Sequence, residues 1–303
     1  MSAIRKSVRA TEQRNPRTRG LDLLPTLDLL RALNREDANV PRAVAKEIPL
    51  IAKAVEIIAH ALSHGGRVFY VGAGTSGRLA TLDASEIPPT FGVSPKMFQA
   101  IIAGGTRALT DAVEGAEDSS SQGTKDIAAR RITNRDVVIG IAASGSTPYV
   151  LGALSAATKA GAATIGITSN RNSPLAKSVK ILIATNTGPE AITGSTRLKA
   201  GTAQKLVLNM LSTATMVRLG RVYDNWMIGV SLTNQKLRKR GQRILQEASG
   251  ASVSEAARAL RQSGHDPCVA LIMLKKKVAA SEAQLLLSAA NGNMRRALHE
   301  FTK

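Results

Sequence analysis

The chain has 303 residues, 44% of them hydrophobic and only 3% aromatic, with a formal net charge of +19. That is enough apolar material for one large domain and a smaller one, and no uninterrupted apolar run reaches membrane-spanning length. The basic start, MSAIRKSVRATEQRNPRTRG, has no apolar core behind it, so neither a secretory signal nor an anchor is expected and the default location is cytoplasmic; the single cysteine, Cys268, excludes an intrachain disulfide and any multi-cysteine metal site.

The first 45 residues hold one amphipathic helix over 26–34. It is preceded by an Arg- and Pro-containing extension with no core of its own, expected to pack on the rest of the chain or on a partner subunit. From about residue 46, helices alternate with short β-branched runs. The pattern predicts a helix over 47–63, a strand at 67–71, a helix at 77–85 and a strand at 98–102. Strands at 136–141, 163–167 and 180–184 follow, with a helix over 148–160 between the first two. Short apolar strands alternating with helices predict a parallel sheet of about five strands in a three-layer α/β sandwich. Ligands in such sheets bind at the strand C-terminal ends.

A helix over 201–219 carries few charges on any side, which predicts a place inside the domain or at a subunit contact. After Arg243 the strands stop. Short helices over 254–262, 267–276, 281–290 and 293–301 are separated by Gly, Asp-Pro and Asn-Gly signals. The expected division is an N-terminal helical extension (1–45), an α/β domain (46–235) and a small C-terminal helical domain (236–303). The basic excess is densest there, in Lys236, Arg238, Lys239, Arg240 and Arg243 and in Lys275 to Lys277. Aromatic residues do not interleave with these clusters, which argues against nucleic acid as a partner and for a solvated basic face that attracts anionic substrates.

The chemistry concentrates in VGAGTSGRLATLDASEIPPT, Val71 to Thr90. Gly72-Ala-Gly-Thr-Ser-Gly77 turns a strand into a helix whose free N–H groups and positive dipole end face an anion. Its three glycines also spell the dinucleotide fingerprint G-x-G-x-x-G, but the next strand runs into Ala103-Gly104-Gly105 with no acidic residue to hold a ribose. Thr75 and Ser76 instead suit a compact phosphate monoester, with Gly74 beside them as a candidate substrate-binding position. A second loop, Ala142 to Tyr149, places Ser144, Ser146 and Thr147 at a helix start directly after a strand. Read alone it is equally a helix N-cap with Pro148 in the first turn; beside the first loop it reads as a second phosphate grip. Two carboxylate groups can do acid–base work. Glu86 precedes Ile87-Pro-Pro89, where the helix is expected to stop, and Glu114, Glu117 and Asp118 follow the 98–102 strand. The four histidines are scattered and match no ligand or triad spacing.

Together VGAGTSGRLATLDASEIPPTFG, IIAGG, AVEGAEDS, IAASGSTPYV and GPEAITGSTRLKAGTAQKLVLNMLST resemble the N-acetylmuramic acid 6-phosphate etherases, a branch of the sugar isomerase (SIS) fold. The resemblance covers nearly the whole chain, with DASE and EGAED specific to this branch. It implies cleavage of the D-lactyl ether of N-acetylmuramic acid 6-phosphate to N-acetylglucosamine 6-phosphate and D-lactate, with no metal or cofactor, by a homodimer. Glu86 matches the proton donor and Glu117 the second active-site glutamate, while Ser76, Ser144 and Thr147 match phosphate-binding hydroxyls. It also makes substrate contacts of Glu190 and Ser195, in a third loop near the strand ends. One departure stands out: many relatives read SGRTPYV where this chain has SGSTPYV, with Ser146 in place of an arginine. Two other readings stay open, a non-catalytic sugar-phosphate sensor or regulator and a phosphosugar isomerase. The first usually needs an N-terminal helix-turn-helix or a second SIS domain, for which residues 1–45 and the chain length leave no room.

Overall fold

In the computed structural model, which describes residues 10–299, five short apolar runs pair as one parallel sheet. They are β1 (Val68–Gly72), β2 (Phe98–Ile102), β3 (Val137–Ile141), β4 (Ala163–Thr168) and β5 (Ile181–Ala184), in the order β2-β1-β3-β4-β5. Each lies within one residue of the strand read from sequence. Every residue of β1 and β3 is buried, as expected for central strands covered on both faces.

Among the described residues up to Arg218 there are seven α-helices: α1 (Thr26–Asp37), α2 (Val40–Ala45), α3 (Ile48–Ser63), α4 (Gly74–Phe91), α5 (Ser120–Ala129), α6 (Pro148–Lys159) and α7 (Lys199–Arg218). Because side chains alternate along a strand, Phe69, Val71, Ile101 and Val138 form one face, packed on Ile127 of α5 and on Tyr149, Val150, Ala153, Leu154 and Ala157 of α6. Tyr70, pointing the other way, donates to buried Asp83 of α4 at 3.1 Å, and α3 packs against β3 and β5. The result is the expected three-layer α/β sandwich. Each large apolar side chain so buried contributes about 1.5–3 kcal/mol.

Helix α4 differs from its sequence reading. It does not stop at residue 85 but continues through Pro88 and Pro89 to Phe91. A proline forfeits only its own N–H bond and strains the turn before it; here the carbonyls beyond that turn are satisfied, Pro88 O by Gly92 N at 2.9 Å and Pro89 O by Ser231 N at 3.2 Å. Glu86 therefore stands within a helix rather than at its end. Helices α2 and α5 have no counterpart among the elements that the sequence pattern predicts.

The chain forms two compact units. The first runs up to Ala84 and adds Lys96–Leu211; the second takes Ser85–Pro95 and the described chain from Ser212 on. Where the sequence divides at 235, the units thus divide at Leu211. The second unit holds α8 (Gln235–Ser249), α9 (Val253–Gln262), α10 (Pro267–Lys276), α11 (Ala280–Ala289) and α12 (Met294–Leu298) around Ile244, Leu245, Leu260, Val269, Leu271, Ile272 and Met294. Side-chain caps start four of these five helices: Asn234 for α8, the Ser252–Glu255 capping box for α9, Asp266 for α10 and Asn293 for α12. In the sequence α8 stands out only as a basic cluster. It is amphipathic, burying Gly241, Ile244 and Leu245 while Lys236, Arg238, Lys239, Arg240 and Arg243 stay exposed. The first nine residues of the basic start, and Phe301 at the end of the last expected helix, lie outside the described residues. Among the described residues no helix is long and apolar enough to cross a membrane.

Candidate active site

The strand order places a topological switch between β1 and β3, because the chain leaves β1 toward β2 and returns on its other side to β3. In such sheets the loops that diverge at the switch open a crevice at the strand C-terminal ends. The register makes the crevice specific: Gly72 of β1 pairs with Ile141 of β3, so both hydroxyl-bearing loops leave the sheet at the same level on adjacent strands, about 4.8 Å apart.

On the β1 side the turn is tight. Helix α4 begins at Gly74, whose φ of +51° lies in the left-handed region, so Thr75 and Ser76 sit in its first turn, where backbone N–H groups have no helical partner. Gly74 is exposed, Thr75 half-buried and Ser76 buried, and the Ser76 hydroxyl donates to Gln204 Oε1 of α7 at 2.9 Å.

On the β3 side Ser144, Ser146 and Thr147 are half-buried. Thr147 occupies the N-cap position of α6 but its side chain caps nothing, which removes the purely structural reason for a hydroxyl there. Ser144 Oγ accepts from both the amide and the hydroxyl of Ser146, at 3.2 and 3.1 Å. The loop is braced from below by the segment after β4. Asn170 donates to the Ala143 and Ser144 carbonyls, Thr168 to the Ala143 carbonyl, and the Leu175 amide to Gly145 O. Gly145, at φ +67°, lies so close to this brace that a Cβ would run into Ser173 Oγ and Thr168 Oγ1.

Glu117 sits in a short 3-10 turn, Ala116–Asp118, entered through left-handed Gly115 and packed against α6, the helix that follows the second hydroxyl loop. Its side chain is exposed, as are Glu114 and Asp118. Glu86 is exposed on α4. One turn before it, Asp83 is buried between the Tyr70 hydroxyl and Lys205 Nζ, the latter at 3.6 Å. Burial, then the charge of Asp83, pushes the Tyr70 hydroxyl well above its ordinary pKa.

Glu190 has another use for its carboxylate. It is 1% exposed, and its two oxygens accept from the Lys199 and Ala200 amides at 2.9 Å, closing the start of α7. Burial raises its pKa against the lowering effect of those amides. Ser195, half-buried, lies in the turn before α7, where its amide donates to Ile192 O. Around the same helix start the N-terminal segment forms a hub that the sequence reading missed. Lys199, fully buried, donates to Glu36 at 2.6 Å; Glu36 also accepts from Arg17 and Asn15, and Asn15 reaches Pro189 O. Lys199 and Gln204, polar residues buried at the start of α7, were the available signal.

Two family models match, the SIS domain over residues 118–214 and the glucokinase regulatory protein N-terminal SIS domain over residues 50–158. A phosphoheptose isomerase from Neisseria gonorrhoeae aligns with a TM-score of 0.49 at 18% identity, over 63% of this chain and 98% of its own. Whole-length likeness is far closer to proteins named N-acetylmuramic acid 6-phosphate etherase. The one from Serratia proteamaculans is 52% identical over 95% of this chain and 97% of its own, and that from Geobacillus thermodenitrificans 50% identical over 95% and 98%. That from Clostridium beijerinckii is 48% identical over 96% of both chains. With such identity running from end to end, the chain belongs to the N-acetylmuramic acid 6-phosphate etherase family.

Proposed function

We propose that the protein cleaves the D-lactyl ether at C3 of N-acetylmuramic acid 6-phosphate, giving N-acetylglucosamine 6-phosphate and D-lactate. The observation that carries this reading is the end-to-end identity with etherases, about half of all positions over 95% of the chain. The paired hydroxyl loops at the β1/β3 crevice support it, because a phosphate dianion needs several donors around one point. Thr75, Ser76, Ser144, Ser146 and Thr147 donate to the phosphate oxygens, and exposed Gly74 lets the backbone approach closely.

The ether is cleaved by elimination and hydration. In the open-chain sugar the C1 aldehyde acidifies the C2 proton, which Glu117 removes as the C3–O bond breaks and Glu86 protonates the departing lactate oxygen. Water then adds to C3 of the resulting enal: Glu86 takes the water proton, Glu117 returns its proton to C2, and both carboxyls regain their starting states. Glu190, engaged by two amides, holds the start of α7, and Ser195 contacts the sugar. The chain acts as a cytoplasmic homodimer. The direct test is incubation with N-acetylmuramic acid 6-phosphate and enzymatic assay of D-lactate. Equimolar lactate and N-acetylglucosamine 6-phosphate are expected, and no lactate from the wild-type protein would refute the assignment.

A further inference from the structure

The Ser76 hydroxyl has one proton, and a phosphate dianion can only accept. In the structure that proton is given to Gln204 Oε1 at 2.9 Å, while the other end of the same amide, Nε2, is buried with no hydrogen-bond partner. Gln204 is 1% exposed and held on α7 by close neighbours on both sides. One turn earlier, Gly201 lies under the Thr75 methyl; at the next position, Lys205 pairs with Asp83. The two helices are thus in fixed register, and the amide has little freedom except rotation about its last torsion. That torsion is broad and roughly two-fold, so a half-turn exchanges Oε1 and Nε2 without moving either helix.

We propose that Gln204 is a positioning residue for the phosphate, acting through Ser76 by reversing this hydrogen bond; the inference rests on Ser76 being a phosphate ligand. Without phosphate, Ser76 donates to Oε1. With phosphate bound, the amide turns, Nε2 donates to Ser76 Oγ, and the Ser76 proton points at a phosphate oxygen. The reversal gives the buried N–H a partner and leaves the carbonyl as the unpaired atom, the kind of buried group more often tolerated unpaired. It also polarises the hydroxyl, since an oxygen that accepts a hydrogen bond donates a stronger one. A side chain able to both accept and donate is therefore required at this position, and at neutral pH the glutamine amide offers both where a carboxylate of the same length only accepts.

The test compares Gln204→Met, which removes the hydrogen bond but keeps length and burial, with Gln204→Glu, which can only accept while ionised. Steady-state cleavage of N-acetylmuramic acid 6-phosphate is measured beside Ser76→Ala, with thermal melts to establish folding. Expected are a KM raised about tenfold in Gln204→Met with kcat within about threefold, and a larger KM increase in Gln204→Glu at pH 8. The excess over Gln204→Met should shrink toward pH 5 as the new carboxyl becomes protonated and regains a donor. On a Ser76→Ala background Gln204→Met should add less than about twofold. Unchanged KM in Gln204→Met while Ser76→Ala raises it would overturn the role of Gln204 and leave the phosphate reading standing. Unchanged KM in Ser76→Ala would overturn both. Should Gln204→Glu fail to fold, the Gln204→Met and double-variant measurements still decide the matter.

Discussion

Replacing Glu36 with Gln should destabilise the first unit more than any single surface change. Glu36 is 3% exposed and gathers Arg17 at 2.5 Å, Lys199 at 2.6 Å and Asn15 at 2.8 Å around one carboxylate. The Arg17 hydrogen bond foremost, then those of Lys199 and Asn15, outweigh burial and hold its pKa at about 2, down from 4.5. At about 1.4 kcal/mol for each unit of pKa, that corresponds to about 3 kcal/mol of folding free energy. Removing the charge also strands Lys199, fully buried, without its carboxylate, and breaking a buried pair from one side costs about 3–5 kcal/mol. The two routes agree on about 3–5 kcal/mol. The sign with pH is fixed: a lowered carboxyl pKa stabilises fully above about 4.5, and the contribution fades as pH falls through about 2. Urea unfolding by circular dichroism at pH 7, with hydrogen exchange at the Lys199 and Ala200 amides, measures it. The variant should lose 3–5 kcal/mol at pH 7 by this reasoning, the gap should narrow below pH 4.5, and adding Lys199→Met should recover part of the loss. A loss under about 1 kcal/mol at pH 7, or a gap independent of pH down to 2, would refute the argument.

Glu86→Gln and Glu117→Gln should each lower kcat for D-lactate release by about 10²–10⁴ with little change in KM, and only Glu117→Gln should also stop exchange of the C2 proton with D₂O, followed by NMR. Gly145→Ala puts a side chain at φ +67° against Ser173 and Thr168, so it should cost about 2 kcal/mol or more in urea unfolding and raise KM. Ser146→Arg places a guanidinium on the second hydroxyl loop and should lower KM for the 6-phosphate by about tenfold; an unchanged KM would show that the basic excess elsewhere already stands in for it.

The sheet was legible because its strands are short, β-branched and buried on both faces, a pattern that needs no partner to be recognised. The two hydroxyl-bearing loops stand out in the sequence for a related reason: glycine and hydroxyl residues between a strand and a helix have few purely structural uses, and Thr147 has none as a cap. The end of α4 was not, because its continuation past Pro88 depends on Gly92 and on Ser231, more than 130 residues away. Helix α8, basic and polar, shows its apolar stripe only once the residues around Ile244 and Leu245 are packed. Glu190 reads as a loop carboxylate until Lys199 and Ala200 turn their amides to it. The Glu36 hub and the Ser76–Gln204 bond join residues 163 and 128 positions apart, pairings that local pattern cannot supply.

Ether cleavage by elimination at C2–C3 and rehydration at C3 leaves its signature in H₂¹⁸O. With N-acetylmuramic acid 6-phosphate as substrate, mass spectrometry should find one ¹⁸O in N-acetylglucosamine 6-phosphate, retained at C3 after its exchangeable C1 oxygen is washed back to ¹⁶O, and none in D-lactate. Label in the lactate instead, or no lactate at all, would contradict the account.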